Sequence, residues 1–492
     1  MFASSHVPDG LPCWSPANDK TTRSCYLDSL SHQQRNGLPT LDFAAGLFSH
    51  SRLRDVPTVS LPHVSMSSTS TILLRPRPYA RHAGAFLLVA LLPPPKRLPE
   101  LPVELWTAIF GWVTELRDLW GLMRACKAFK DMVCPLVYSR VKLSKLTAFT
   151  QFTMRLELAD QNWSPLHRFP YSSPGRWVQT LDLSAVEYVG QAQALMLDSL
   201  LVGLFPLVPF LSRLSMNPSF VLSRRVMESL GRNICASSLK VLEGISYSPA
   251  PDNGEEEPLT NLLRSCLNIE ELEVIGVGLD PAELIDPVQA ISAPEPFFPL
   301  HLPRLRTLTI LSVCSSHLLF ILVNSPLPAL QKLTLTPYED VPNTLSTPFI
   351  ESHGTNLRSL LLFTPKSWPT RLHTSPSIST LMSLAPKLTH LSLERPLPSY
   401  ISLPNAAAIP FPLQILSVPR PDPDFWPILE RTLLPQFPYL RAIRARDVRW
   451  LRKGMGASAQ STGVQGEMME WRRRLLRRGI KMLDGEWREY EA

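Results

Sequence analysis

Charge is scarce in this chain: of 492 residues only 18% are Asp, Glu, Lys or Arg, against a hydrophobic fraction of 45%. Wholesale disorder requires the opposite balance, so at least one sizeable core is expected. No CxxC pair occurs among the seven cysteines, at 13, 25, 126, 134, 235, 266 and 314. An odd, unpaired set argues against a disulfide framework and for a reducing compartment, cytoplasm or nucleus. Long apolar runs are missing as well: AGAFLLVALLPPP at 83–95 and SLLVGLFPLVPFLS at 199–212 fall short of the ~20 residues that cross a bilayer. The opening MFASSHVPDG has no basic segment followed by an apolar one, so no secretory leader and no membrane partner are expected. Glycine-rich phosphate loops, HExxH, GxSxG and zinc-spaced Cys/His sets are all lacking, and the 11 histidines stand singly. No catalytic residue, metal ligand or cofactor can be assigned on such a sequence, and a non-enzyme is expected.

Proline is abundant instead, with 49 residues, about twice the usual ~5% share. The net charge is +7, and residues 440–492, with 13 Lys/Arg against 7 Asp/Glu, supply most of it. Residues 1–95 are rich in Ser, Pro and Arg without a period of 2 or 3.6 and read as a disordered leader.

The pattern changes at Leu98. In LPELPVELWTAIFGWV, Pro102 and Glu104 suit the first turn of a helix. Leu105, Ile109, Trp112 and Leu116 form one apolar stripe. Val103, Trp106, Phe110 and Val113 form a second, rotated by about 100°. A second helix is expected from a cap at Asp118, with Leu119, Leu122, Met123 and Cys126 inward, and a third over KAFKDMV that stops before Pro135. A three-helix unit over 98–140 buries too little to use both stripes, so one of them must be met by something else, either the rest of this chain or a separate partner.

These residues resemble the F-box family. LPELPVELWTAIF is similar to its opening phrase, and DLWGLMRACKAFKDMVCPLVYSRV to its continuation, with Phe129 where tryptophan is commoner. The resemblance implies docking onto the Skp-type adaptor of cullin-RING ubiquitin ligases, and through it onto a cullin. Carried over by position, the adaptor-binding residues are Leu101, Pro102, Leu105, Ile109, Phe110, Leu119, Leu122, Cys126, Phe129, Leu136 and Tyr138. Docking and internal-core residues are not separable within that set from sequence.

Beyond residue 175 a phrase with apolar residues at its first, fourth and sixth positions recurs, from VQTLDL at 178 through IEELEV at 269 and LQKLTL at 330 to LRAIRA at 440. Ten such phrases follow one another at intervals of 25 to 36 residues, often led by a helix and a proline or glycine breaker. Each alternates as a half-buried strand does. They resemble the irregular leucine-rich repeats of fungal-type F-box proteins and predict an α/β solenoid with a parallel sheet. The expected organisation is a leader (1–95), an F-box (96–145), a solenoid (146–453), a linker (454–466) and a basic amphipathic helix and tail (467–492).

Solvent-facing strand positions should line a concave surface that recruits a protein substrate. The speculative contacts are Glu271, Glu273, Thr307, Thr309, Lys332, Thr334, His390, Arg444 and Arg446, with Ser359, Ser392 and others between them. Two insertions, 248–259 and 278–300, break the rhythm and read as an acidic disordered loop and a loop of open role. In EMMEWRRRLLRRGIKML, at 467–483, Met468, Trp471, Leu475 and Met482 share one side and basic residues much of the rest. That pattern fits a cap on the solenoid, a nuclear-import or nucleic-acid patch, or an interfacial helix. The whole reads as the substrate receptor of a ubiquitin ligase. A scaffold without a ubiquitin role, or a nucleic-acid-associated protein acting through 467–483, stands as the alternative.

Overall fold

The structure, a computed structural model, describes most of residues 101–490. Outside the described residues lie the leader except two short strands, both insertions in large part (249–256 and 277–297), residue 396, and segments 164–172, 314–315, 337–344, 364–377, 398–410, 421–423 and 451–462. The two strands, Arg75–Arg77 and Leu87–Val89, pair antiparallel within the stretch expected to be disordered. The second lies in the apolar run FLLVA, whereas the first, RPR, is charged and follows the apolar ILL. The chain divides into two compact units that meet between Cys134 and Pro135.

In the smaller unit, α1 spans Val103–Gly111 behind Pro102, and α2 spans Leu116–Ala125. The second helix thus starts two residues ahead of Asp118, from Glu115, and Asp118 lies in its first turn, where the helix dipole favours an acid. Cys126 is exposed rather than inward: its Sγ accepts the Phe129 N–H at 3.4 Å and so caps the next helix, α3, Lys127–Ser139. That helix does not stop before Pro135 but runs through it. The lost hydrogen bond and ring clash cost ~3 kcal/mol, and burial of Val133 and Val137 on either side offsets it.

The larger unit is α/β and solenoid-like. Twelve strands form one parallel sheet whose spatial order is the chain order. They are β1 (Arg140–Lys142), β2 (Thr180–Asp182), β3 (Arg213–Ser215), β4 (Val241–Tyr247), β5 (Glu271–Gly276) and β6 (Thr307–Leu311). The remainder are β7 (Lys332–Leu335), β8 (Ser359–Leu362), β9 (His390–Ser392), β10 (Ile415–Val418), β11 (Ala442–Ala445) and β12 (Lys481–Leu483). The ten phrases supply β2 to β11. Their central residues stand in register from Leu181 through Leu214, Leu242, Leu272, Leu308, Leu333, Leu360, Leu391 and Leu416 to Ile443. Val141 and Met482 extend this row at the two ends, and every member is at most 2% exposed. Burial of such a side chain stabilises the fold by about 1.5–3 kcal/mol, so a one-residue slip, which turns the row outward, is strongly disfavoured.

Helices occupy the crossovers between parallel strands, and neighbouring ones pack on each other: α4 (Leu146–Gln161) on α5 (Gly190–Leu204), and α5 on α6 (Arg224–Arg232). Serines start some of them, as where Ser223 Oγ accepts the Val226 N–H. With the 3₁₀ turn Phe205–Leu207, α5 makes an 18-residue stretch of mean hydropathy 1.2, long and apolar enough by composition to cross a membrane. Within the fold its residues Leu197, Leu201 and Leu204 are buried.

The basic segment is not one helix. A helix at Gly463–Leu476, here α7, buries Met468, Trp471 and Leu475. Gly479, at φ +74°, then turns the chain and the Ile480 N–H reaches back to the Leu475 carbonyl. The chain continues as β12, a twelfth strand beside β11. Many of its cations are engaged within the chain: Arg474 with Glu470 at 2.8 Å, Arg478 with Glu430 at 2.9 Å and Lys481 with Glu489 at 2.9 Å.

One glycine is fixed by geometry. Gly244, at φ +68°, lies where the register between β4 and β5 shifts, and a Cβ there would meet the Met216 carbonyl oxygen at 2.2 Å. Gly244→Ala should therefore lower stability by about 2 kcal/mol or more, read as the urea midpoint; an unchanged midpoint would show that the bulge is not required.

Candidate interaction surfaces: an open helix face and a polar sheet face

In the smaller unit most of the Leu105 stripe of α1 stays open and most of the Phe110 stripe does not, with Val103 the exception. Phe110, 3% exposed, packs on Trp106 (ring centroids 5.6 Å apart) and on Phe129 (5.0 Å). Leu119 is buried with them, while Leu122 and Phe129 are half-buried. Leu105 and Ile109, by contrast, are 50% and 47% exposed, and Leu101 and Pro102 ahead of them are open as well. The candidate set thus splits into an inner group (Phe110, Leu119, Leu122, Phe129) and an outer one (Leu101, Pro102, Leu105, Ile109), with Cys126 a helix cap. Two residues absent from that set join the outer group: Val103, and Trp112 at 87% exposure. Trp112 was visible in the sequence as a member of the Leu105 stripe. Leu136 and Tyr138 belong to the larger unit, where the Tyr138 ring packs on Phe152 and Trp177.

The sheet brings the candidate substrate residues into two rows. Glu271, Thr307, Lys332, Ser359 and His390 stand side by side on successive strands. Glu273, Thr309, Thr334, Leu361, Ser392, Ser417 and Arg444 form the next row. Arg446 follows just beyond β11.

Four of these are not solvent-facing: Thr334, Ser392, Ser417 and Arg444 are buried, the last at 1% exposure. Thr334 and Ser392 are short side chains flanking Leu361 on adjacent strands. Arg444 is covered by the turn that follows β12: it donates to the Gly485 carbonyl at 2.6 Å, and the Trp487 ring lies over its guanidinium at 4.2 Å. Nothing in the repeat phrase announces this turn. Arg446 is enclosed too, donating to the Leu362 carbonyl at 3.1 Å and the Glu394 carboxylate at 2.8 Å.

Charge is segregated along the face. Toward β3 to β5, Glu243 accepts from Arg213 at 2.8 Å and from Ser215 at 2.7 Å, and Arg213 approaches Glu271 at 3.8 Å. Burial and the neighbouring charge of Glu243 push the Glu273 carboxyl up to about 7, although the Gly244 N–H at 3.2 Å and Lys332 act against this. Toward β9 to β11, burial and then Arg444, Lys332 and Arg446 hold His390 down at about 4. Burial and Arg446 bring Arg444 down to about 10, still a cation at neutral pH.

The His390 ring joins Ser359 at 3.0 Å and Ser417 at 2.8 Å, a spacing seen between a nucleophile and its base. A base held near 4 accepts a proton poorly at neutral pH, and Ser417 is fully buried, so the contacts tie three strands together. Among the described residues no group of three or more His, Cys, Asp or Glu is placed to hold a metal ion.

The shift at Glu273 has a measurable consequence. Its carboxyl holds a proton more tightly folded than unfolded between pH 4.5 and about 7, so its contribution to stability falls as pH rises through that window. Glu273→Gln should be more stable than the parent above pH 7, with the advantage vanishing near pH 4.5; an advantage independent of pH would refute the assignment. No family model matches the chain, and no curated protein matches it, so both surfaces are read from their own geometry.

Proposed function

We propose that the chain is a non-catalytic substrate receptor of a cullin-RING ubiquitin ligase. The helical unit acts as an F-box that docks onto a Skp-type adaptor, and the strand-and-helix array, read as irregular leucine-rich repeats, holds a protein substrate. The observation that carries the reading is the open apolar face of Leu101, Val103, Leu105 and Ile109, which falls within the phrase that resembles the F-box opening, and of Trp112 two residues beyond it. Most of these side chains are about half open, so covering the rest of each gains on the order of 1 kcal/mol, and together they favour a docked helix.

The second element of support is division of labour. A row of polar side chains on a rigid sheet positions a bound protein without performing chemistry, and transfer by proximity then falls to other subunits. The nucleic-acid alternative draws less support, since Arg473, Arg474, Arg478 and Lys481 face carboxylates of the same chain. Co-purification with a Skp-type adaptor and a cullin tests the reading: recovery of both at matching stoichiometry supports it, and recovery of neither refutes it.

A further inference from the structure

The substrate reading leaves open what kind of segment the sheet face accepts. Around His390 the structure narrows this. Lys332, Ser359 and His390 are neighbours in one cross-strand row, with the Lys332 side chain exposed and the other two part-exposed. Beside them stands Trp487. Its indole meets the His390 ring edge-on, centroids 5.5 Å apart, covers Arg444, and keeps 41% of its surface open.

The indole is held in place. Trp487 has φ +65°, a left-handed conformation that a bulky residue adopts only where its surroundings impose it. Those surroundings begin at Asp484, whose carboxylate accepts the N–H groups of Glu486 and Arg488 at 2.8 Å and of Trp450 at 3.1 Å. Trp450 Nε1 in turn donates to the Arg488 carbonyl at 3.1 Å. The ring is thus a fixed wall of the niche.

The field inside the niche is cationic. Lys332, Arg444 and Arg446 all act on His390; of the carboxylates around them, Asp484 is committed to backbone N–H groups and Glu394 to Arg446 at 2.8 Å, while Glu273, on which Lys332 also acts, stands two strands from Lys332 on the side away from His390. Such a place disfavours a second proton on the imidazole and favours an incoming anion.

We infer that this niche anchors an acidic side chain of an extended partner peptide, its carboxylate or phosphate oxygens meeting Lys332 and the Ser359 hydroxyl while Trp487 covers the adjoining apolar stem. The inference rests on reading the sheet face as the cargo face. It is independent of adaptor docking: Leu105→Glu with Ile109→Glu leaves peptide binding unchanged, so failure here and failure there are separable.

The test uses the full chain and three labelled peptides identical except at a few positions, which carry glutamate, phosphoserine or lysine. Fluorescence anisotropy should show saturable binding of the glutamate or phosphoserine peptide and none of the lysine peptide. Lys332→Glu should weaken that binding by about tenfold or more; Trp487→Ala should weaken it too, and Trp487→Phe should largely retain it. Stronger binding of the phosphoserine peptide identifies phosphate as the preferred anion, and equal binding identifies any carboxylate. Urea midpoints equal to the parent's establish that the variants are folded. Anionic peptides that bind no better than the lysine peptide, or a folded Lys332→Glu variant with undiminished binding, would overturn the inference.

Discussion

Substituting glutamate for Leu105 and Ile109 together should, on the proposed docking of α1 onto a Skp-type adaptor, abolish that capture, with a loss of at least about a hundredfold in affinity, and leave the unfolding midpoint where it was. The two side chains are one turn apart on α1 and about half exposed, so glutamates there are well hydrated in the free protein. Docking would strip that water from two carboxylates without offering partners, a cost of at least a few kcal/mol. Surface changes of this kind shift stability by no more than about 0.5 kcal/mol. Phe110→Ala is the contrasting variant. Its ring packs on Trp106 and Phe129, and its removal should cost about 3–5 kcal/mol, so any loss of capture there would come from unfolding. Isothermal titration with the adaptor, beside thermal unfolding followed by circular dichroism, separates the two cases.

Arg446→Ala should destabilise the parallel-sheet unit by about 3–5 kcal/mol. The guanidinium reaches across the sheet to the Leu362 carbonyl and to Glu394, at 3.1 and 2.8 Å, and both charged side chains are largely enclosed. Removing the cation leaves a carboxylate in a site it cannot occupy without loss. Because the penalty belongs to the pair, Arg446→Ala with Glu394→Ala should cost clearly less than the two single losses added together, whereas independent contributions would add. Urea unfolding of the three variants measures the difference.

The row of buried leucines was legible because its signal is local: six residues in period 2 suffice to mark a strand with one covered face, and the register follows from aligning their central leucines. The two outer strands were missed for opposite reasons. YSRVKL at 138–143 fits the phrase, with Tyr138, Val141 and Leu143 in the apolar places, but lay within the stretch that resembled an F-box. Around Met482 the flanking apolar places hold Gly479 and Asp484, so the phrase is hidden, and pairing with β11 settles the strand. Pro135 misled because a local rule about proline ignores what the flanking residues bury.

The outer stripe of α1 was visible as a surplus of apolar residues. Which stripe stays open was not visible, since that depends on the Phe129 ring from another helix packing against Phe110. On the sheet face, the covering of Arg444 by Gly485 and Trp487 joins residues about forty positions apart, beyond the reach of any periodicity.

Hydrogen exchange of the full chain, alone and with a saturating Skp-type adaptor, bears most directly on the proposed division into a docking helix and a cargo face. Slowed exchange confined to the segment from Leu101 to Trp112 and the helix after it, with β2 to β11 unaltered, is the expected result. Protection across the sheet strands, or no protection at α1 at all, would contradict it.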